Sequence, residues 1–161
     1  MNRFFTRTIL CSSMLICTVA LANDFGAADT LKKPQGVSSI DHYNASVNVA
    51  VFICSMTFST AQSLAELQRM GTAPSEEQIA KADYKRCITA HRSSLKKIYA
   101  DAASSIKKPS RKNALKEHYI QSIVMIDGIE PQPEELKIQY IKRQNDQQKK
   151  LNELWTRFEI D

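Results

Sequence analysis

The chain has 161 residues, of which 43% are hydrophobic and 24% charged, and its formal net charge is +5. A chain of this size supports one domain with an ordinary core. It has only 4 glycines and 5 prolines, too few turn residues for a collagen-like, low-complexity or many-turned all-β architecture.

Residues 1–22 have the three zones of a secretory signal peptide. Arg3 and Arg7 give a positive start, an apolar stretch runs from Thr8 to Val19, and Ala20-Leu21-Ala22 is a small-x-small cleavage pattern. We therefore expect export to the periplasm or the exterior, with cleavage between Ala22 and Asn23. An uncleaved anchor is the alternative, but the apolar stretch is short for a membrane span.

Loss of this leader changes both the charge and the cysteine count. Without Arg3 and Arg7 the formal charge falls from +5 to +3, since 22 basic residues become 20 against 17 acidic ones. This small excess gives little support for nucleic-acid binding, and we expect none. Cys11 and Cys17 leave with the leader, and neither follows the small residue that a lipid-attachment site needs. No later apolar run reaches about 18 residues, so we expect no transmembrane anchor in the mature chain.

Cys54 and Cys87 are the two cysteines of the mature chain. Two cysteines in an exported domain usually pair, so we expect a disulfide. No C-x-x-C pattern is present, and we expect neither a metal nor another cofactor. His91 lies four residues after Cys87, which admits a Cys/His metal or reactive-thiol interpretation. We favour a histidine buried beside the disulfide, because an oxidised cysteine is not a thiolate ligand.

Turn and helix-capping residues in the mature chain predict an extended arm over 23–37 and one helical domain over 38–161. The first helix starts at a Ser38 cap with Asp41 three residues later, and ends before Gly71. A β-branched run, Val47–Ile53, leaves a buried strand open as an alternative at that point. The second helix starts at Pro74-Ser75, with acids in its first turn, and continues to Lys107-Lys108 before Pro109.

Two further helices complete the expected fold. The third runs from about Ser110 to Asp127, with Gly128 at the C′ position and Ile129 packing back on Val124 as in a Schellman motif. The fourth opens with Pro133 at its first position, followed by two acids, and continues to about Phe158. Short connections between the helices predict an all-α, up-down antiparallel bundle of about four helices, linked by the disulfide.

A basic cluster surrounds the junction of the second and third helices and consists of Lys107, Lys108, Arg111, Lys112 and Lys116. The first two suit the negative end of the second helix. Arg111 and Lys112 instead fall in the first turn of the third helix, where cations oppose the helix dipole. This local cost favours, as a hypothesis, a surface for an acidic partner at Arg111, Lys112 and Lys116. The alternative is an ordinary solvated corner.

The fourth helix has a polar middle, because residues Lys142–Lys150 include no apolar side chain. Such a helix either buries only its two ends or extends past the bundle to meet a partner. Trp155 and Phe158 follow this polar stretch. They are interpreted either as core residues or as aromatic anchors of a binding surface.

No catalytic motif is present: the chain has no G-x-S-x-G, no clustered glycines and no paired histidines. We therefore expect a non-enzymatic, exported binding protein that acts by contact with another envelope or secreted protein. An immunity-type inhibitor of a toxin that enters the envelope is one specific version. The alternatives are a small-ligand or metal carrier, or an enzyme, with an inter-helix pocket, and a periplasmic chaperone or stress adaptor.

Overall fold

The structure, a computed structural model, describes residues 31–71 and 74–161, and over these ranges the chain forms four α-helices and no strand. They are α1 (Ser39–Arg69), α2 (Pro74–Ser104), α3 (Pro109–Asp127) and α4 (Lys137–Ile160). Helix α1 packs mainly on α2 and α3 mainly on α4, while α3 also contacts both α1 and α2. The predicted all-α helical bundle is therefore confirmed. The leader and the arm up to residue 30 lie outside the described residues.

Helix α1 begins and ends as its sequence predicts. The Ser38 hydroxyl accepts a hydrogen bond from the backbone N–H of Asp41 at 3.0 Å, which satisfies one of the free donors of the first turn. Gly71 follows the helix with a φ of 83°, a left-handed conformation that glycine adopts without steric cost. The stretch Val47–Ile53 is helical throughout. The strand alternative is thus excluded.

The core has two parts. The larger part joins all four helices and also takes in Leu31 from the arm: Leu31, Tyr43, Val47, Ala50, Leu95, Ala102, Ala103, Ile106, Ala114, Leu115, Met125, Ile126, Leu151 and Phe158. The smaller part lies around the disulfide and contains Cys54, Phe58, Tyr84, Cys87 and Ile129. Burial of these apolar side chains supplies the main stabilising term of the bundle.

Helix α2 ends earlier than predicted. It stops at Ser104, where the hydroxyls of Ser104 and Ser105 donate to the carbonyls of Asp101 and Ala102, each at 2.7 Å. Such local bonds compete with continuation of the helix. Lys107 and Lys108 therefore lie beyond α2, and the explanation of them as its dipole partners is wrong. At the other end, α2 begins at Pro74. The side chain of Ser75, the predicted cap, is not among the side chains that the structure describes.

The expected Schellman motif at Gly128 is also wrong. Gly128 has φ −88° and ψ 5°, whereas that motif needs a left-handed residue at this position. Ile129 instead turns into the small core part beside the disulfide, and Val124 stays exposed. A side chain at this position would displace the Arg143 guanidinium, because a Cβ would lie 2.8 Å from Nη1 of Arg143.

Helix α4 starts at Lys137, four residues later than the expected start at Pro133. Glu134 has a φ of 65°, which is incompatible with a helical first turn. The Glu135 carboxylate accepts hydrogen bonds from Arg143 at 2.8 and 2.7 Å and from the Gln132 backbone at 2.9 Å. Glu135 therefore holds the loop against Arg143 rather than stabilises the dipole of α4.

Candidate functional site

The predicted disulfide between Cys54 and Cys87 is confirmed and joins α1 to α2, with the two Cα atoms 5.7 Å apart. His91 lies one turn after Cys87 on the same face of α2. One ligand atom from each of Cys54, Cys87 and His91 falls within 4.8 Å of the other two. The expectation of a buried histidine beside a disulfide is thus met.

His91 is fully buried, with 0% of its surface exposed, and neither ring nitrogen has a hydrogen-bond partner. Burial lowers the pKa of His91 below its usual value, because a charged ring would lose its hydration. The ring therefore stays neutral at physiological pH. Each unpaired polar atom at such a position costs about 1–3 kcal/mol.

The basic cluster separates into residues with different surroundings. Arg111 is half-buried, its guanidinium lies 4.6 Å from the centre of the Phe158 ring, and its Nε donates to the Phe158 carbonyl at 3.4 Å. Lys108 donates to the carbonyl of Asp161. Lys112 and Lys116 are exposed on α3. Arg111 thus has a structural role at the carboxyl end of α4 that its position at the start of α3 could not indicate.

The two aromatic candidates of the last helix lie in or against the larger core part. Phe158 is buried, while Trp155 is half-buried, with its ring centre 5.0 Å from Phe158 and 5.2 Å from His118. Tyr43 completes the group, since its hydroxyl lies 2.9 Å from His118 Nδ1. Burial lowers the pKa of His118 to about 4, so the ring is neutral, and its tautomer decides whether Nδ1 accepts or donates in this hydrogen bond.

The polar middle of the last helix is only partly solvated. Arg143 pairs with Glu135 and also donates to the Gly128 carbonyl at 2.6 Å. Two surface grooves border this helix. One is lined by polar side chains of α4 alone, and the other lies between α3 and α4, where Gln121 is buried in its floor. Neither is lined mainly by the hydrophobic and aromatic side chains that are typical of a small-ligand site.

Sequence reasoning missed the outer face of α1. The exposed residues Ala45, Asn48, Phe52, Met56, Ser59 and Ser63 recur at helical spacing and form what is called here the α1 face. Phe52 is 63% exposed and Met56 is 53% exposed. A signal was present in the sequence, because no Asp, Glu, Lys or Arg occurs between Asp41 and Glu66. That stretch buries its other side in the core, and none of residues 31–71 and 74–161 covers this one.

By length and composition alone, residues Ser39–Leu67 are apolar enough to cross a membrane. In the bundle, however, this helix supplies Tyr43, Val47 and Cys54 to the core, and its disulfide fixes it to α2. A membrane-spanning arrangement would require this core to come apart.

Comparison of the chain with protein-family models, with curated proteins and with solved structures finds no match. Any functional argument therefore depends on the chain's own residues.

Proposed function

We propose that this chain is an exported, non-enzymatic binding protein that engages another protein through the α1 face. The observation that carries the proposal is the exposure of Phe52 and Met56, one helical turn apart, on a helix surface without charged side chains. The centres of protein interfaces are depleted of charge and enriched in aromatic residues and methionine. A few such side chains usually carry most of the binding energy.

The supporting structure makes the α1 face rigid before any partner arrives. Cys54 lies between Phe52 and Met56 along α1 and is bonded to α2. Tyr43, Val47 and Phe58 hold the opposite side of the helix in the core. A preorganised surface loses less conformational entropy on binding, which leaves more of the contact energy as affinity.

The charge around the α1 face favours a protein partner with an acidic rim. Lys85, Lys96 and Lys97 are exposed along the adjacent helix α2, while Arg86 and Arg92 pair with Asp83 and Asp127. The whole chain also has a small excess of basic residues, which slightly disfavours the pairing of two copies. Lys112 and Lys116 on α3 remain candidates for a second, electrostatic contact.

An immunity-type inhibitor is the specific version of this proposal, and it requires one tight partner. A chaperone would instead bind many clients weakly. The small-ligand carrier has less support, because the two grooves along α4 are lined mainly by polar side chains. Export is part of the proposal, and the intact mass of the mature protein tests it. A chain that begins at Asn23 is expected, whereas a retained Met1 or a lipid on Cys11 or Cys17 would contradict it.

The binding claim is tested by a photo-crosslinking amino acid placed at Phe52 or at Met56 in the full chain in its native cell. The matched control is Ile138, which is 75% exposed but lies on α4. We expect one discrete adduct with a different protein from positions 52 and 56, and none from position 138. Adducts with a second copy or with lipid, a ladder of many proteins, or equal yields at all three positions would each refute the proposal.

A further inference from the structure

The cluster of Cys54, Cys87 and His91 has a geometry that the disulfide alone does not require. The three ligand atoms lie within 4.8 Å of one another inside the bundle. Metal–sulfur bonds of about 2.3 Å and metal–nitrogen bonds of about 2.0 Å place the donors of a trigonal site roughly 4 Å apart. The two sulfurs are bonded to each other in the oxidised protein, so they have to move apart on reduction to reach this spacing, while the His91 ring already lies within reach of both.

His91 supplies an independent observation that points to a ligand. It is fully buried, and both of its ring nitrogens lack a hydrogen-bond partner. The disulfide beside it lies in a mainly apolar cluster that includes Ile88, Tyr84 and Ile129. A leucine of similar volume would fill this space without leaving buried polar atoms unpaired. A neutral imidazole with a free lone pair is, in contrast, a suitable metal ligand.

We propose that the reduced form of this protein binds one Cu(I) ion through the thiolates of Cys54 and Cys87 and one ring nitrogen of His91. Two thiolates and an imidazole form a soft donor set, which copper(I) and zinc both accept. Zinc in structural sites takes four ligands, and the His/Cys/Asp/Glu group found among the described residues offers three. Three soft donors suit Cu(I), so the geometry favours copper.

The reaction has two balanced steps. A dithiol reductant transfers two electrons and two protons to the Cys54–Cys87 bond, which yields two thiols and leaves the reductant as a disulfide. Cu(I) then displaces the two thiol protons to solvent, forms two Cu–S bonds and accepts the lone pair of His91. Metal binding and the disulfide are mutually exclusive, so the bound ion protects the thiols from reoxidation. The inference is independent of the α1 face.

The test is an anaerobic titration of the mature protein, after reduction by a phosphine, with Cu(I) in competition with a chromophoric Cu(I) chelator. We expect one equivalent of tightly bound Cu(I) in the reduced protein and none in the oxidised protein. His91→Leu keeps both cysteines and should weaken binding at least about tenfold, since even groups behind the ligands are worth 10–100-fold. His42→Gln, which changes a buried histidine outside the cluster, should leave the affinity unchanged.

Circular dichroism in each sample separates metal binding from unfolding. The Cys54→Ser/Cys87→Ser protein should stay helical and bind no Cu(I). Should reduction loosen the bundle, Cu(I) should restore cooperative melting in wild type but not in His91→Leu. The inference is overturned if wild type and His91→Leu bind equally, if the oxidised protein also binds, or if the reduced chain binds without regaining structure. It is also overturned if Zn²⁺, titrated in parallel, binds in a His91-dependent manner while Cu(I) does not.

Discussion

Reversing the charge of Arg111 should destabilise the bundle, whereas the same change at its neighbour Lys112 should not. Both residues lie near the start of α3, where a cation is unfavourable and an acid favourable. Only Arg111 also reaches the end of α4, where its guanidinium covers the Phe158 ring at 4.6 Å and donates to the Phe158 carbonyl at 3.4 Å. Both substitutions thus replace an unfavourable charge at the start of α3, but only Arg111→Glu also loses the contacts with the end of α4.

The expected magnitude follows from these contacts. Arg111→Glu loses a cation–π contact of about 0.5–1 kcal/mol, a hydrogen bond of up to about 1 kcal/mol and a favourable interaction with the α4 dipole of about 0.3–1 kcal/mol. A gain of about 0.3–1 kcal/mol at the start of α3 offsets part of this. The midpoints of these ranges give a net loss of about 1 kcal/mol, or about 2–4 °C in Tm for a chain of this size. Lys112→Glu has only the stabilising effect at the start of α3.

The assay is thermal unfolding of the oxidised mature protein, followed by circular dichroism at low and at moderate salt. Lys112→Glu should melt slightly above wild type, and salt should shrink that difference because the side chain is exposed. Arg111→Glu should melt below wild type at both salt concentrations. Equal melting of the two variants, or a higher Tm for Arg111→Glu, would refute the assignment of Arg111 to the end of α4.

Two further substitutions test the interior and the loop before α4. Tyr43→Phe removes the hydroxyl that lies 2.9 Å from His118 Nδ1. The unpaired nitrogen should lower the free energy of unfolding, measured in denaturant titrations, by about 1–3 kcal/mol. An unchanged unfolding midpoint would contradict the buried pair. Hydrogen bonds from Arg143, ahead of that from the Gln132 backbone, lower the pKa of Glu135 from 4.5 to about 2. The stabilisation is therefore full above pH 4.5 and is lost as the pH falls towards 2. In thermal melts across this window, Glu135→Gln should lose less stability than wild type, and parallel curves would be evidence against the Arg143 pair.

The sequence predicts those parts of the fold that depend on neighbouring residues. The Ser38 cap and the terminal Gly71 are signals read within one turn. The disulfide follows because Cys54 and Cys87 are the two cysteines outside the predicted leader, and two cysteines in an exported domain usually pair. These features need no knowledge of the tertiary structure, and the bundle confirms each of them.

The early end of α2 comes from local hydrogen bonds of two serine hydroxyls, whereas the other two errors occur where a distant residue competes with a local signal. Pro133 followed by two acids resembles a helix start, but Glu135 pairs with Arg143, eight residues further on. Gly128 resembles a C′ glycine, but Arg143 and Gln144 approach its carbonyl and set a different conformation. In both cases a side chain of α4 determines the backbone conformation of the preceding loop.

The candidate site likewise has features that the sequence predicts and features that depend on the packing of the helices. The sequence places His91 one turn after Cys87, but whether its nitrogens find partners depends on α1 and on the Ile129 loop. Exposure of Phe52 likewise depends on which side of α1 the other helices cover. The absence of charged residues between Asp41 and Glu66 indicates an unusual helix without showing whether its apolar face is buried. Only the packing distinguishes a core helix from a binding surface.

The central claim is that the α1 face binds a protein partner, and the most direct measurement is the affinity of that partner for matched variants. Once the adduct at position 52 identifies the partner, its Kd is measured by calorimetry for wild type, Phe52→Ala, Met56→Ala and Ile138→Ala. Truncation of a central aromatic anchor typically costs about 2 kcal/mol or more, which is roughly thirtyfold in Kd. We predict such a loss for Phe52→Ala, a smaller one for Met56→Ala and none for Ile138→Ala, with unchanged Tm values. Equal affinities for all four proteins would contradict the claim.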